Sequence, residues 1–209
     1  MSLNVEVIKI INRPLPLSKG ACEALGVAVF ISLTFLGAYL RVYLPFTPVP
    51  ITLQTFFVLL SGAVLGRRLG AISQAGYIVL GSLGLPIFAG ATGGILYLLG
   101  PTGGYLIGFI AASYIVGGMI NMKKELTFGW TILAMLTGMT VVYLLGASWL
   151  SFVIKSNFSR TFALGILPFI PGAVLKLLTG AFVFYTFLQP RLNTDKDITK
   201  QFKLERVDR

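Results

Sequence analysis

Long apolar runs alternate with short polar or proline-rich connections along this chain. Apolar stretches occupy 24–43, 53–65, 71–85, 128–150 and 167–188, with a further one opening at the glycines of 100–104 and continuing to 120. A helix needs about 20 predominantly apolar residues to cross a bilayer, so the pattern predicts six membrane helices, the second and third of them short. The run after residue 20 is longer than a signal peptide's apolar region and lacks a convincing cleavage site, so it is expected to stay as the first span. The chain then divides into a 1–20 cytoplasmic N-terminal segment, a 21–188 six-helix membrane domain and a 189–209 basic cytoplasmic tail.

The connections differ in kind. LPFTPVPITLQT (44–55) holds Pro45, Pro48 and Pro50, which stiffen an extended segment and resist a helix. Irregular backbone of this sort belongs at the interface or lining a cavity. Thr52, Gln54 and Thr55 offer hydrogen-bonding groups there, for capping the next helix or for contacting a ligand. GRRLG (66–70) reads as a tight turn, with two glycines around two arginines. The glycine-rich 81–104 segment is too broken for a plain helix and too apolar for a solvated linker, which suits a re-entrant or lid-like outer loop. Residues 151–165 read as a mixed outer loop, and Trp130 and Trp149 as interfacial anchors of the fifth span.

Small residues recur at helical spacing in two places. Gly100, Gly104, Gly108 and Ala112 form one seam; Ala24, Ala28 and Ser32 form another on the first span. Either can let helices approach closely, inside this bundle or, for the Ala24 stripe, against a second membrane protein.

Of the 209 residues 56% are hydrophobic and 11% charged, against about 25% charged in soluble domains; this is an integral membrane protein. The net charge of +10 sits in the connections and carries topology. With both termini inside, thirteen Lys and Arg fall on the inner side, three (Arg41, Lys155, Arg160) outside and one, Lys176, within the membrane. That bias obeys the positive-inside rule. A basic face interleaved with aromatics, as nucleic-acid binders use, is missing from the sequence. One cysteine and no histidine leave no internal disulfide, no usual zinc site and no His-based catalysis. The sequence contains no phosphate-binding GxxxxGK[ST] loop, HExxH or GxSxG, and no acid inside a span. No catalytic residue, metal or cofactor is expected.

Lys176 is therefore the candidate of interest. It lies inside LPFIPGAVLKLLTGAFVFYTFL (167–188), while all seven acids lie in polar segments. An ammonium near a bilayer centre costs about 2.5–3.5 kcal/mol on insertion scales. It can snorkel outward, bond backbone carbonyls and water, or meet an anion brought by a ligand. The last suits a membrane-embedded binder of a small anionic solute. Tyr77 and Gln74, three apart on the third span, share a helix face and do not want to point at lipid.

PVPITLQT (48–55), GLPIFAG (84–90), GPTGGY (100–105) and PGAVLK (171–176) occur in the order and spacing of the BioY family, the biotin-binding S components of energy-coupling factor transporters, and the chain resembles that family over about 24–188. The resemblance implies an all-α S-component bundle of six transmembrane helices, with both termini cytoplasmic and biotin held near the outer face under the loops after spans one and three. It implies Lys176 as a ligand contact, with Tyr77, Gln54, Thr52 and Thr92 as lesser polar ones. It implies partners as well: a transmembrane T component coupled to two ATP-binding subunits, docked on the AxxxA pattern of Ala24 and Ala28. Some similar proteins occur without these subunits. The family pattern PGDxxK departs at Ala173, where an Asp is expected, which bears on the biotin pose; in the third loop some relatives have Arg where this chain has Thr92, which weakens electrostatic capture there. Two other functions fit the residues, a stand-alone facilitator for another small carboxylated metabolite and a non-transport assembly subunit whose glycine seams serve packing alone. The facilitator would move solute in liposomes with no ATPase present; the assembly subunit would bind no small acid.

Overall fold

Ser18 starts the first helix, its hydroxyl accepting from the Ala21 N–H at 3.3 Å, which satisfies one donor that a helix start leaves free. The computed structural model describes residues 18–123 and 125–190. Apart from one minimal hairpin and one isolated bridge, the regular structure is all helical: α1 (Lys19–Tyr39), α2 (Gln54–Ser82), the short α3 (Ile95–Leu99), α4 (Gly103–Asn121), α5 (Phe128–Ile154), α6 (Phe158–Gly165) and α7 (Ile170–Val183), which a π turn extends to Leu188. Among the described residues, counting Phe158–Leu188 as one element, five helical segments are long and apolar enough to cross a membrane.

α2 is folded back on itself. Gly66 adopts φ 79°, ψ 177°, a left-handed φ that glycine reaches without Cβ strain. In a straight helix Gln54 and Tyr77 would stand about 34 Å apart at 1.5 Å per residue. Instead Gln54 Nε2 donates to Tyr77 Oη at 2.8 Å, and Gln74 Nε2 donates to Ser61 Oγ at 3.1 Å. The limbs before and after Gly66 are antiparallel neighbours. The reversal is tighter than the expected 66–70 turn, since helix resumes at Arg67. Its side chain donates to the Tyr114 hydroxyl and lies 4.6 Å from that ring's centroid.

α2 packs on α1 and α4, and α4 packs on α5. The expected glycine seam lies in the last of these contacts: a Cβ on Gly108 would stand 3.0 Å from Val142 Cα, and Ala112 is wholly buried. Two apolar clusters result. One gathers Leu59, Val116, Met135, Leu177 and Phe184; the other gathers Val58, Tyr77, Phe88, Tyr105 and Phe169.

Two irregular segments cap the second cluster. After α1, Arg41–Val42 pairs antiparallel with Ile51–Thr52, and Thr47 Oγ1 within that loop donates to Leu164 O at 2.7 Å. After α2, the expected broken 81–104 segment closes on itself through Phe88 N–H to Thr92 O at 2.9 Å and Gly94 N–H to Gly81 O at 2.7 Å. The 151–165 segment departs from the expected loop. Asn157 caps α6 by accepting from Arg160 N–H at 3.0 Å, and Phe158 and Phe162 stack one turn apart, a local helix nucleus. The two tryptophans also bond backbone: Trp130 donates to Met119 O and Trp149 to Gly100 O, both at 2.9 Å, tying α5 to the last turn of α4 and to the segment just before α4. The 1–17 segment and the tail beyond 190 lie outside the described residues.

Candidate functional site

The Pro48-Val49-Pro50 run ends in the Ile51–Thr52 strand, so the Thr52 carbonyl is fixed just before α2 begins. Lys176 reaches it from α7, its Nζ donating at 2.9 Å. Proline at 171 suits the first turn of α7, and Gly172, four residues before the lysine, leaves its stem unobstructed: a Cβ there would come no nearer than 4.0 Å, to Lys176 Cε. The half-buried ammonium is thus held by a backbone carbonyl, one of the alternatives open from sequence. The described residues include two acids, Glu23 and Glu125; Glu23 faces Lys19 at 3.8 Å, and no ion pair reaches Lys176.

A chain of hydrogen bonds runs from the same strand. Thr52 Oγ1 donates to Gln54 Oε1 at 3.1 Å and accepts from Gln54 N–H at 3.4 Å. Gln54 Nε2 donates to Tyr77 Oη, which donates to Ile87 O at 2.8 Å. Both limbs of α2, the Thr52 strand and the 81–104 segment are therefore locked into one polar unit, with Tyr77 wholly buried.

This unit borders a small, partly open cavity of about 50 Å³. Thr52, Gln54, Thr55, Thr102 and Lys176 supply polar groups; Tyr97, Tyr105, Phe109, Tyr143 and Phe169 supply aromatic walls. Thr55 Oγ1 is buried and has no hydrogen-bond partner among the described residues, which marks it as a polar group open to a ligand. Burial raises the pKa of the Tyr97 phenol, against the lowering effect of the Thr102 hydroxyl. One cation, several neutral polar groups and flat aromatic walls suit a small amphipathic solute with a ring and a polar end.

Lys176, Thr52 and Gln54 thus meet at one cavity. Tyr77 stands one hydrogen bond behind, outside the lining. Thr92 is exposed and donates to Ala89 O at 3.0 Å; it closes the turn that places Ala89 in the cavity wall without lining it. Ala173 is buried in the other apolar cluster and is absent from the lining. Ala24 and Ala28 are exposed, so the stripe they form is not used inside the bundle. Tyr97, Tyr105, Tyr143 and Thr102 were not singled out from sequence. Tyr105 and Thr102 fall within the GPTGGY motif, a signal that pointed to them, whereas Tyr143 is one aromatic in an apolar run and carried none.

Comparison with known proteins fits this geometry. A sequence model described as the BioY family matches residues 13–192. The "Probable biotin transporter BioY" of Pyrococcus horikoshii is 44% identical over 163 residues, covering 78% of this chain and 94% of that protein. The "Biotin transporter BioY" of Thermotoga maritima is 37% identical over 161 residues, covering 77% and 92%. A crystal structure of the S-component for biotin from an ECF-type ABC transporter aligns with a TM-score of 0.73 at 26% identity, covering 88% of this chain and 92% of that one.

Proposed function

The chain belongs to the BioY family, and from that premise we propose that it binds biotin on the outer side in the cavity beneath the 41–53 and 81–104 segments. It is a multi-pass membrane transporter of biotin, acts as an S component and is not an enzyme. The observation that carries the site is the convergence of Lys176, Thr52 and Gln54 on one aromatic-walled cavity. Lys176 faces the charge or a polar end of biotin; Gln54 and Thr52 offer amide and hydroxyl groups, and Tyr77 orients the Gln54 amide. Thr92 contributes through the turn it closes.

The bundle crosses the membrane six times, with both termini inside and the 21–188 region as the membrane domain. The folding of α2 at Gly66 supports the even count, and the thirteen-to-three distribution of basic residues supports the orientation. The partners are a T component and two ATP-binding subunits, with the outward Ala24 and Ala28 face of α1 as the docking surface. Equilibrium binding of radiolabelled biotin to the purified chain, in competition with other small carboxylic acids, tests the reading. Saturable binding displaced by unlabelled biotin alone is the expected result; equal displacement by unrelated acids would refute biotin as the ligand.

A further inference from the structure

Arg41 is a second cation on the cavity's side of the molecule, and the polar unit around Gln54 makes no use of it. It pairs in register with Thr52, and directly opposed residues of an antiparallel pair project to the same face. That is the face on which the Thr52 hydroxyl meets Gln54. Its Nη1 is buried and has no hydrogen-bond partner among the described residues. The guanidinium lies 5.2 Å from the centroid of the Tyr43 ring, a contact that holds the group without satisfying that N–H. Nη1 stands 3.6 Å from where a Cβ of Gly90 would be, next to cavity-lining Ala89, and its charge acts on the cavity-lining phenol of Tyr97. A buried charged donor without a partner is costly, and a carboxylate supplied by a ligand would satisfy it in the bidentate geometry that arginine favours.

We propose that Arg41 is a specificity-determining ligand contact that takes the carboxylate of the solute, leaving Lys176 for its neutral polar end. This rests on the biotin reading and divides the ligand's two ends between two cations.

The test compares biotin with biotinamide, whose side chain ends in a neutral amide, by equilibrium binding to the purified parent, Arg41→Gln, Arg41→Lys and Lys176→Gln. The parent is expected to prefer biotin by about tenfold or more, the usual scale of a charge-assisted hydrogen bond. Arg41→Gln should bind biotinamide as the parent does and bring the preference close to one; Arg41→Lys should keep part of it. Unchanged biotinamide binding shows that the variant is folded. If Arg41→Gln keeps the parent's preference, or Lys176→Gln alone abolishes it, the assignment is overturned. A parent that binds both compounds equally overturns it too while biotin remains the ligand. A parent that binds neither refutes the biotin reading, and the role of Arg41 falls with it.

Discussion

Tyr77→Phe removes one oxygen atom from a wholly buried position and keeps the ring, including its edge contact with Phe88 at 5.6 Å. The lost oxygen accepts from Gln54 Nε2 and donates to Ile87 O, each at 2.8 Å. Two polar groups lose their partner, one in the cavity wall and one in the 81–104 segment. A buried group left unsatisfied costs about 1–3 kcal/mol. Gln54 is buried and Ile87 only half-buried, so the sum falls at about 2–4 kcal/mol against the folded state. Biotin binding should weaken by about three- to tenfold, because the Gln54 amide keeps its place in the wall and loses what orients it. Denaturant unfolding in detergent measures the first effect, and biotin titration the second. A double-mutant cycle with Gln54→Leu isolates the pair, with an expected coupling of about 1 kcal/mol or more. A Tyr77→Phe protein as stable as the parent, with zero coupling to Gln54, would show that this chain of hydrogen bonds does not hold the limbs of α2 together.

Three further outcomes follow from the packing. Gly104→Ala places a Cβ against the Cβ of Trp149 and 2.6 Å from Leu145 O, so unfolding should show a loss of about 1–3 kcal/mol, whereas Gly118→Ala meets nothing within 4 Å and should be neutral or stabilising by up to about 1 kcal/mol. Gln74→Leu strips partners from Thr34, Ser61 and Ser73, all wholly buried. It should cost about 1–3 kcal/mol in unfolding yet leave biotin affinity near the parent's, since these residues do not line the cavity. Ala24→Trp with Ala28→Trp on the exposed face of α1 should leave biotin binding to the purified chain unchanged and abolish ATP-driven uptake when T component and ATPases are co-expressed.

How much of this was legible in the sequence depends on the kind of signal. Apolar run length gave the helices to within a few residues, because burial in lipid is read directly from composition. The Arg41–Thr52 pairing was hidden among three prolines, which announced extended backbone without saying what it pairs with. α6 reads as loop from the sequence because eight residues fall below the length at which periodicity speaks; the Asn157 cap is its local cue. Lys176 stood out as a charge in an apolar run, but its contact with Thr52 spans 124 positions and no local pattern encodes that. From sequence Arg41 is only an outer charge; its buried nitrogen emerges once the 81–104 segment folds over the hairpin.

The central claim is that Lys176 serves the ligand in the cavity and is more than a structural tether for the Thr52 carbonyl. Equilibrium binding of radiolabelled biotin to the parent and to Lys176→Ala tests it most directly. The account predicts saturable binding by the parent and affinity lower by about ten- to a hundredfold in the variant, the scale of one hydrogen bond to a charged group. Equal affinity in the two proteins, with the variant folded, would contradict it.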